Sequence, residues 1–435
     1  MRLQINGPET GANWKILGFS SGESISLRMR LIVIGGGAAG FFCAVNAARM
    51  NPAMETLIIE KTGKLLSKVR VSGGGRCNVT HACFSIPEMS RHYPRGTNFV
   101  KKAFHQFFTG DTIAWFKERG IMLKTEDDGR MFPVSDDSST IVNCLLQEAD
   151  KYGVSIWMNR ELKSMHKTGD QWELVLSNGE RHKADKICIA CGGYPKASMF
   201  EWIRHTGHAI EPPTPSLFTF NVPGDPLTQL MGIAVPWVGV KIQGVKLEET
   251  GPVLITHWGL SGPAILKLSA RGARILADHQ YQFSITVNWL PSQNEQLLRE
   301  QFQRFRGEAA GQKIRGRNNL GLPHRLWEYL CQQSGIGEDM RWGDMPSAKQ
   351  NALLKNTCSQ EIRINGKTTF KEEFVTAGGV KLSEIDVNTM QSKLIPSLFF
   401  AGEIMDVDGV TGGFNFQHAW TSGWIAARAI ASATL

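Results

Sequence analysis

The sequence predicts an α/β chain: a parallel sheet flanked by helices, interrupted by a β-rich insertion that carries a small helical unit. Three observations predict it. Strand-like and helix-like runs alternate from Arg30 to Ala190. Strand-like runs set off by Pro and Gly fill the region 196–291, and the alternating texture resumes near Phe374.

Arg30-Leu-Ile-Val-Ile34 is a short β-branched run, the pattern of a buried parallel strand. It leads straight into Gly35-Gly-Gly-Ala-Ala-Gly40, an alanine-rich helical stretch from Phe41 to Met50, and a second strand, Thr56-Leu-Ile-Ile-Glu60. A helical stretch near 137–152 precedes three strand-like segments, Ser155–Trp157, Trp172–Leu176 and Lys186–Ala190. In the insertion, Val235–Ile242, Val253–Thr256 and Tyr281–Trp289 read as strands without intervening helices. Gln293–Phe305, Pro323–Ser334 and Pro346–Asn356 read as helices. Ser397–Ala401 is the last buried strand, and a helix over 413–432 carries the small residues Ala419, Ser422, Gly423, Ala426 and Ala427. The expected boundaries are an unassigned extension (1–28), an α/β domain (29–195 plus 370–435), a β-rich unit (196–291 plus 361–369) and a helical subdomain (292–360).

Bulk composition narrows the class. Hydrophobic residues are 42% and charged residues 20% of 435, an ordinary globular balance that disfavours disorder. No apolar run approaches the roughly 18–20 residues of a membrane span, and residues 1–28 lack an apolar signal core. Eight cysteines without framework spacing fit a reducing, cytoplasmic setting. The net charge of +8 is a weak pointer to polyanions.

Gly35, Gly37 and Gly40 form GxGxxG between a strand and a helix, and Glu60 ends the next strand twenty residues on. The first glycine permits the tight turn, the second admits a pyrophosphate, and the third lets helix and strand pack closely. With Ala38 and Ala39, the helix start offers N–H groups to phosphate, and the acid suits ribose hydroxyls. This is a Rossmann-like dinucleotide site. Two distant segments favour FAD over NAD. Ala190-Cys-Gly-Gly193 ends a strand where backbone can pass a cofactor, and Gly402-Glu403 ends another with an acid suited to a ribityl chain. Gly412-Gly-Phe-Asn415 then opens a helix whose N-terminus can face the pyrimidine edge of a flavin.

At this point the chain resembles the HI0933-like, or YhiN-like, flavoproteins, related in fold to the glutathione-reductase and fumarate-reductase flavoproteins. The resemblance covers 29–435 and rests on IVIGGGAAG (32–40), SGGGRCNVT (72–80), GRMFPVSD (129–136), THWGLSGPAIL (256–266), VTAGGV (375–380), TMQSK (389–393) and FAGEIMDVDGVTGGFN (400–415). It implies an FAD-binding domain with an inserted β-barrel-like domain and a small helical domain. Two departures stand out: a short segment after Gly193, and His81 in place of the usual asparagine.

Cys77 and Cys83 lie in VSGGGRCNVTHAC (71–83). A disulfide reductase would need a second glycine-rich unit for NADPH, and no second GxGxxG occurs. A zinc site from Cys77, His81 and Cys83 lacks a convincing fourth ligand, His92 being the only nearby candidate, so no metal is expected. Gly73, Gly74, Gly75, Arg76, Cys77 and Asn78 are instead expected to wrap the flavin, with Lys68 or Arg76 near its charge and Lys61 also binding the cofactor. Reduction of an activated C=C bond needs hydride and a proton; Cys77 is one candidate donor and His257 the other, although each is equally well a structural residue.

The resemblance implies several activities: reduction of a steroid-like enone, amine oxidation, or reduction of uridine to dihydrouridine in ribosomal RNA. Only the last accounts for the basic balance. Arg304, Arg306, Lys313, Arg315 and Arg317, interleaved with Phe302 and Phe305, form a candidate RNA-binding segment, or simply a solvated basic face. The leading expectation is an FAD-dependent ene-reductase acting on ribosomal RNA with NAD(P)H as transient reductant. A small-molecule flavin oxidoreductase and a non-catalytic, ribosome-associated flavoprotein remain open.

Overall fold

The computed structural model describes residues 28–316, 320–369 and 375–432. All but Arg28 of the extension lies outside them.

Five parallel strands form the central sheet, in the order Leu398–Phe400, Lys186–Ile189, Arg30–Ile34, Glu55–Ile59 and Ser155–Trp157. Leu31–Ile34 and Ile187–Ile189 are buried throughout, because helices or strands cover both faces. The helix Ala38–Met50 leaves the first strand and is buried continuously from Ala39 to Ala48. It lies against the last helix, Phe414–Ser432. The small residues of that last helix explain the approach: a Cβ at Gly423 would stand 2.8 Å from Ala39 O.

The insertion builds a seven-stranded antiparallel sheet, in the order Gln360–Asn365, Gln282–Asn288, Ala234–Ile242, Leu247–Thr256, Gly259–Ser261, Thr219–Asn221 and Lys367–Thr368. Its two edge strands are consecutive in the chain, joined through Gly366. The Gly366 N–H donates to Tyr281 O at 2.8 Å, and the Asn221 N–H donates to Gly366 O at 3.1 Å. The sheet therefore curls towards a barrel, which removes long exposed edges.

One expectation fails here. The insertion is not free of helices, since Pro263–Asp278 is a helix of 16 residues. Ala264, Ile265, Leu268, Ala273 and Leu276 recur on a helical period and are all buried, with Pro263 in the first turn. The Gly and Pro residues just before it read as turn punctuation and hid that period. This helix closes the barrel sheet, and the helices Glu295–Glu308, His324–Gln333 and Ser347–Cys358 join the same apolar core. A second core gathers the parallel sheet, the first helix and the last helix. No helix among the described residues is long and apolar enough to cross a membrane.

Candidate active site

A cleft of about 520 Å³ opens at the carboxyl ends of the parallel strands and reaches across to the inserted sheet. Ligands bind at this end of a parallel sheet because turns there are free to vary and helix N-termini converge.

The three glycines of the first turn divide into two packing positions and one open one. Gly35 has φ +113°, and a Cβ there would meet Ala190 O at 2.5 Å. A Cβ at Gly40 would stand 2.0 Å from Gly35 O, so this glycine seats helix on strand and does not line the cleft. Gly37 has no atom within 4 Å of its would-be Cβ and opens on the cleft beside Ala38 and Ala39. Glu60 is held firmly at the same rim. Its Oε2 accepts from the Gly36 N–H at 2.9 Å, while Oε1 accepts from the Thr62 N–H at 2.9 Å and the Thr62 hydroxyl at 2.8 Å.

The far side is assembled from segments more than 300 residues apart in sequence. Lys68 Nζ lies 2.6 Å from Glu403 Oε2, and the other oxygen of Glu403 accepts from the Thr376 N–H at 2.8 Å. Gly402 donates its N–H to Ser422 Oγ at 2.9 Å, and Ala190 and Gly192 line the floor. Gly413 has φ +91°, and a Cβ there would meet Thr80 O at 2.5 Å. With its amide oriented to suit both neighbours, Asn78 donates to Thr80 O and accepts from the Gly413 N–H, each at 2.9 Å. Gly412 and Asn415 also line the cleft, the Asn415 side chain exchanging two bonds with Gly409 at 2.7 and 2.9 Å.

Several of the expected residues do not line the cleft. The segment expected to wrap a flavin is a short helix, Ser67–Gly75, broken at Ser72–Gly74, and only Ser72, Gly73 and Asn78 of 72–78 reach the cleft. Gly74 and Gly75, both at positive φ, make the turn instead. Arg76 turns away, its guanidinium lying 4.0 Å from the Phe132 ring centroid and 2.5 Å from Glu126. Cys77 is wholly buried at φ +63°, and burial pushes its thiol up to about 12. Lys61 lies over the Tyr194 ring at 5.4 Å, outside the cleft. Phe414 faces the opposite way, stacked on His92 at 4.3 Å and His81 at 4.7 Å. His257 sits exposed on the tip between Leu247–Thr256 and Gly259–Ser261, packed on Trp258, and does not line the cleft.

Other residues take those places. Arg130 lines the cleft, its guanidinium oriented by Asp128 at 2.6 Å and Glu126 at 3.0 Å. His418 lines it from the last helix. Burial lowers its imidazole to about 4, and its Nδ1 has no partner among the described residues. Thr219, Ser261 and Thr368, with Phe218 and Leu266, form the opposing wall on the inserted unit. Arg130 was within reach of sequence reasoning, since it lies in the quoted GRMFPVSD segment. The hydroxyl wall was not, because it comes from three separate strands.

A sequence profile of the HI0933-like protein Rossmann domain matches residues 29–429. The chain belongs to the HI0933-like family. It is 32% identical over 416 residues to the ribosomal RNA dihydrouridine synthase of Escherichia coli, covering 93% of this chain and 99% of that one. It is 26% identical over 410 residues to the 3-dehydro-bile acid delta(4,6)-reductase of Clostridium scindens, covering 92% and 99%. Among solved structures it is similar to the 3-ketosteroid-delta4-(5alpha)-dehydrogenase of Rhodococcus jostii, at 13% identity and a TM-score of 0.49, over 93% of this chain and 98% of that one.

This HI0933-like protein is an FAD-dependent oxidoreductase. The residues fit the cofactor: an open Gly37 at a helix start, an oriented Glu60, and a cleft long enough to run from them to Gly412 and Gly413. The basic segment is placed elsewhere. Arg304, Arg306, Lys313 and Arg315 do not line the cleft, and Arg317 lies outside the described residues. Lys313 pairs with Asp339 at 2.6 Å and Arg315 with Glu338 at 3.7 Å, which offsets two of the charges counted along the sequence. No cluster with metal-binding geometry occurs among the described residues.

Proposed function

We propose that this flavoprotein reduces a carbon–carbon double bond conjugated to a carbonyl, with uridine in ribosomal RNA as substrate and NAD(P)H as transient reductant. One observation carries the reading: a single cleft joins the dinucleotide loop to a wall on a separate unit lined by Thr219, Ser261 and Thr368. Such a cleft can hold a flat ring against a cofactor. The dihydrouridine synthase name of the Escherichia coli relative and the net charge of +8 support RNA.

Bound FAD supplies hydride chemistry. The chain's own residues do the rest. The N–H groups at the Gly37–Ala39 helix start hold pyrophosphate, and Glu60, already oriented by Gly36 and Thr62, takes ribose hydroxyls. Arg130 uses two of its nitrogens on Asp128 and Glu126, and its Nη1 has no partner among the described residues. That nitrogen binds the substrate carbonyl oxygen and steadies the negative charge that develops there. Thr219 and Thr368, whose hydroxyls donate to Thr368 O and Asn221 Oδ1, shape the wall, and the Ser261 hydroxyl relays a proton from water to the neighbouring carbon, in place of Cys77 and His257.

The test gives FAD-loaded protein and NAD(P)H to ribosomal RNA that lacks dihydrouridine, then maps nucleosides by mass. A uridine that gains two hydrogens is expected; RNA of unchanged mass sinks the reading. The bile acid reductase relative and the paired basic segment favour a second reading, reduction of a small enone. Turnover of an enone without turnover of RNA would select it. Failure to oxidise NAD(P)H with either substrate would remove both substrates and NAD(P)H as reductant.

A further inference from the structure

The hydroxyl wall of the cleft does not stop at its rim. Thr368 pairs with Thr219 across one ladder, and Ser261 pairs with Leu254, which pairs with Ala234, across the next two. Residues opposite one another in a ladder project from the same face of a sheet. Ser261 lines the cleft, and Leu254 beside it is 38% exposed. One face therefore runs from the cleft wall onto the outer surface of the barrel.

That outer surface carries an unusual residue. The register between Ala234–Ile242 and Leu247–Thr256 shifts between Val235 and Val238. A bulge of this kind re-aims side chains, and here Pro236 and Trp237 both face outward. Trp237 is 57% exposed, and Met231, on the turn before the strand, is 56% exposed. An indole left in water on the face that carries Leu254 forgoes burial that a core position would give it. Charge on this face is mixed: Lys241, exposed further along the Trp237 strand, stands opposite the exposed Glu248 across the ladder, and Arg325 bonds Gln229 O at 2.6 Å, two residues from Met231.

We propose that this face, centred on Trp237 and continued by Leu254 to Ser261, is a stacking track for single-stranded RNA beside the base that enters the cleft. The inference rests on the RNA reading above. The occupant follows from two features. A uracil drawn into the cleft must leave its stack, so its neighbours need a surface just outside. An exposed aromatic ring can hold an unstacked base irrespective of sequence, and the chain carries +8 overall.

The test measures anisotropy of a labelled oligouridylate and of ribosomal RNA with FAD-loaded protein. Trp237→Ala is expected to raise Kd about 5- to 150-fold, the range for loss of one stacked base. Trp237→Phe should recover most of that loss, and Leu254→Ser should weaken binding less. Melting curves and flavin absorbance should match the unsubstituted protein, since these side chains lie outside both cores. Equal affinity for Trp237→Ala, or no gain from phenylalanine, overturns the track. So does a dimer of the RNA-free protein that Trp237→Ala dissolves, which would assign the face to a second copy. Trp237-dependent binding without reduction of uridine would remove the proposed reaction and leave the track standing. Reduction that ignores Trp237 would do the reverse. No RNA binding by the unsubstituted protein removes both.

Discussion

Arg95 and Asp408 form a two-point ion pair around a wholly buried carboxylate. Nε donates to Oδ1 at 2.6 Å and Nη2 donates to Oδ2, which also accepts from the Ser216 hydroxyl. The remaining nitrogen, Nη1, donates to Ala270 O at 2.6 Å on the inserted helix. Asp408 opens the segment that carries Gly412 and Gly413 to the cleft, so one guanidinium ties that segment to the insertion. Asp408→Asn should cost about 3–5 kcal/mol, because it leaves a buried cation without its counter-charge. Chemical denaturation measures the loss, and the double change Arg95→Met with Asp408→Leu should recover part of it.

The glycine turn separates binding from folding. Gly37→Ala meets no atom within 4 Å, so melting should hardly change while flavin content falls, as the methyl fills cofactor space. Gly40→Ala places its methyl 2.0 Å from Gly35 O and should lose about 1–3 kcal/mol of stability or more. Absorbance at the flavin band set beside thermal unfolding distinguishes the two. Equal flavin content in Gly37→Ala would count against this turn as the dinucleotide site.

Arg130 and Cys77 should behave oppositely. Arg130→Met removes the guanidinium that faces the cleft, and the rate of substrate reduction should fall about 10²-fold or more with flavin still bound. Cys77→Ala removes a thiol that is wholly buried and outside the cleft lining, so turnover should persist with a modest loss of stability. Rapid-mixing kinetics of flavin reoxidation by substrate measures both. Lost turnover in a folded, flavin-bound Cys77→Ala protein would restore the thiol as acid.

His92 ties stability to pH. Burial, then the positive charges of His81, Lys267 and Arg271, hold its imidazole at about 4, below its ordinary 6.5. The folded state therefore binds fewer protons than the unfolded state between those values. Stability from this group is fully present above about 6.5 and is lost as pH falls towards about 4. His92→Phe keeps a ring on Phe414, where the two stack at 4.3 Å, and should flatten the acid limb. His418, lowered to about 4 by its own burial, should preserve part of the slope. Urea midpoints across that range give the comparison, and identical slopes would refute the assignment.

Local chemistry was legible where it is local in the chain. The strand Arg30–Ile34, the turn Gly35–Gly40 and the acid Glu60 fall within about thirty residues, and each role follows from backbone geometry set by neighbours in sequence. Gly40 packs helix on strand, and Gly37 stands open at the cleft. The segment around Cys77 was legible as a glycine-rich turn but not in its direction. A turn with several glycines at positive φ can send the following side chains to either side, and Phe132 and Glu126, some fifty residues on, draw Arg76 away from the cleft.

By itself the sequence determined the dinucleotide-binding α/β unit, its interruption and its family, because those rest on periodicity and on motifs that are local in the chain, such as the turn in which Gly35 takes φ +113°. The tertiary structure alone decided which of the many candidate groups share one cleft. Thr219, Ser261 and Thr368 meet because their strands, distant in sequence, are neighbours at one end of the inserted sheet, and Lys68 meets Glu403 across 335 residues because parallel strands bring their carboxyl ends together. Charge was misleading when counted along the chain: Lys313 and Arg315 find Asp339 and Glu338 only after folding. Coulomb attraction depends on distance through space, and linear order does not reveal that distance.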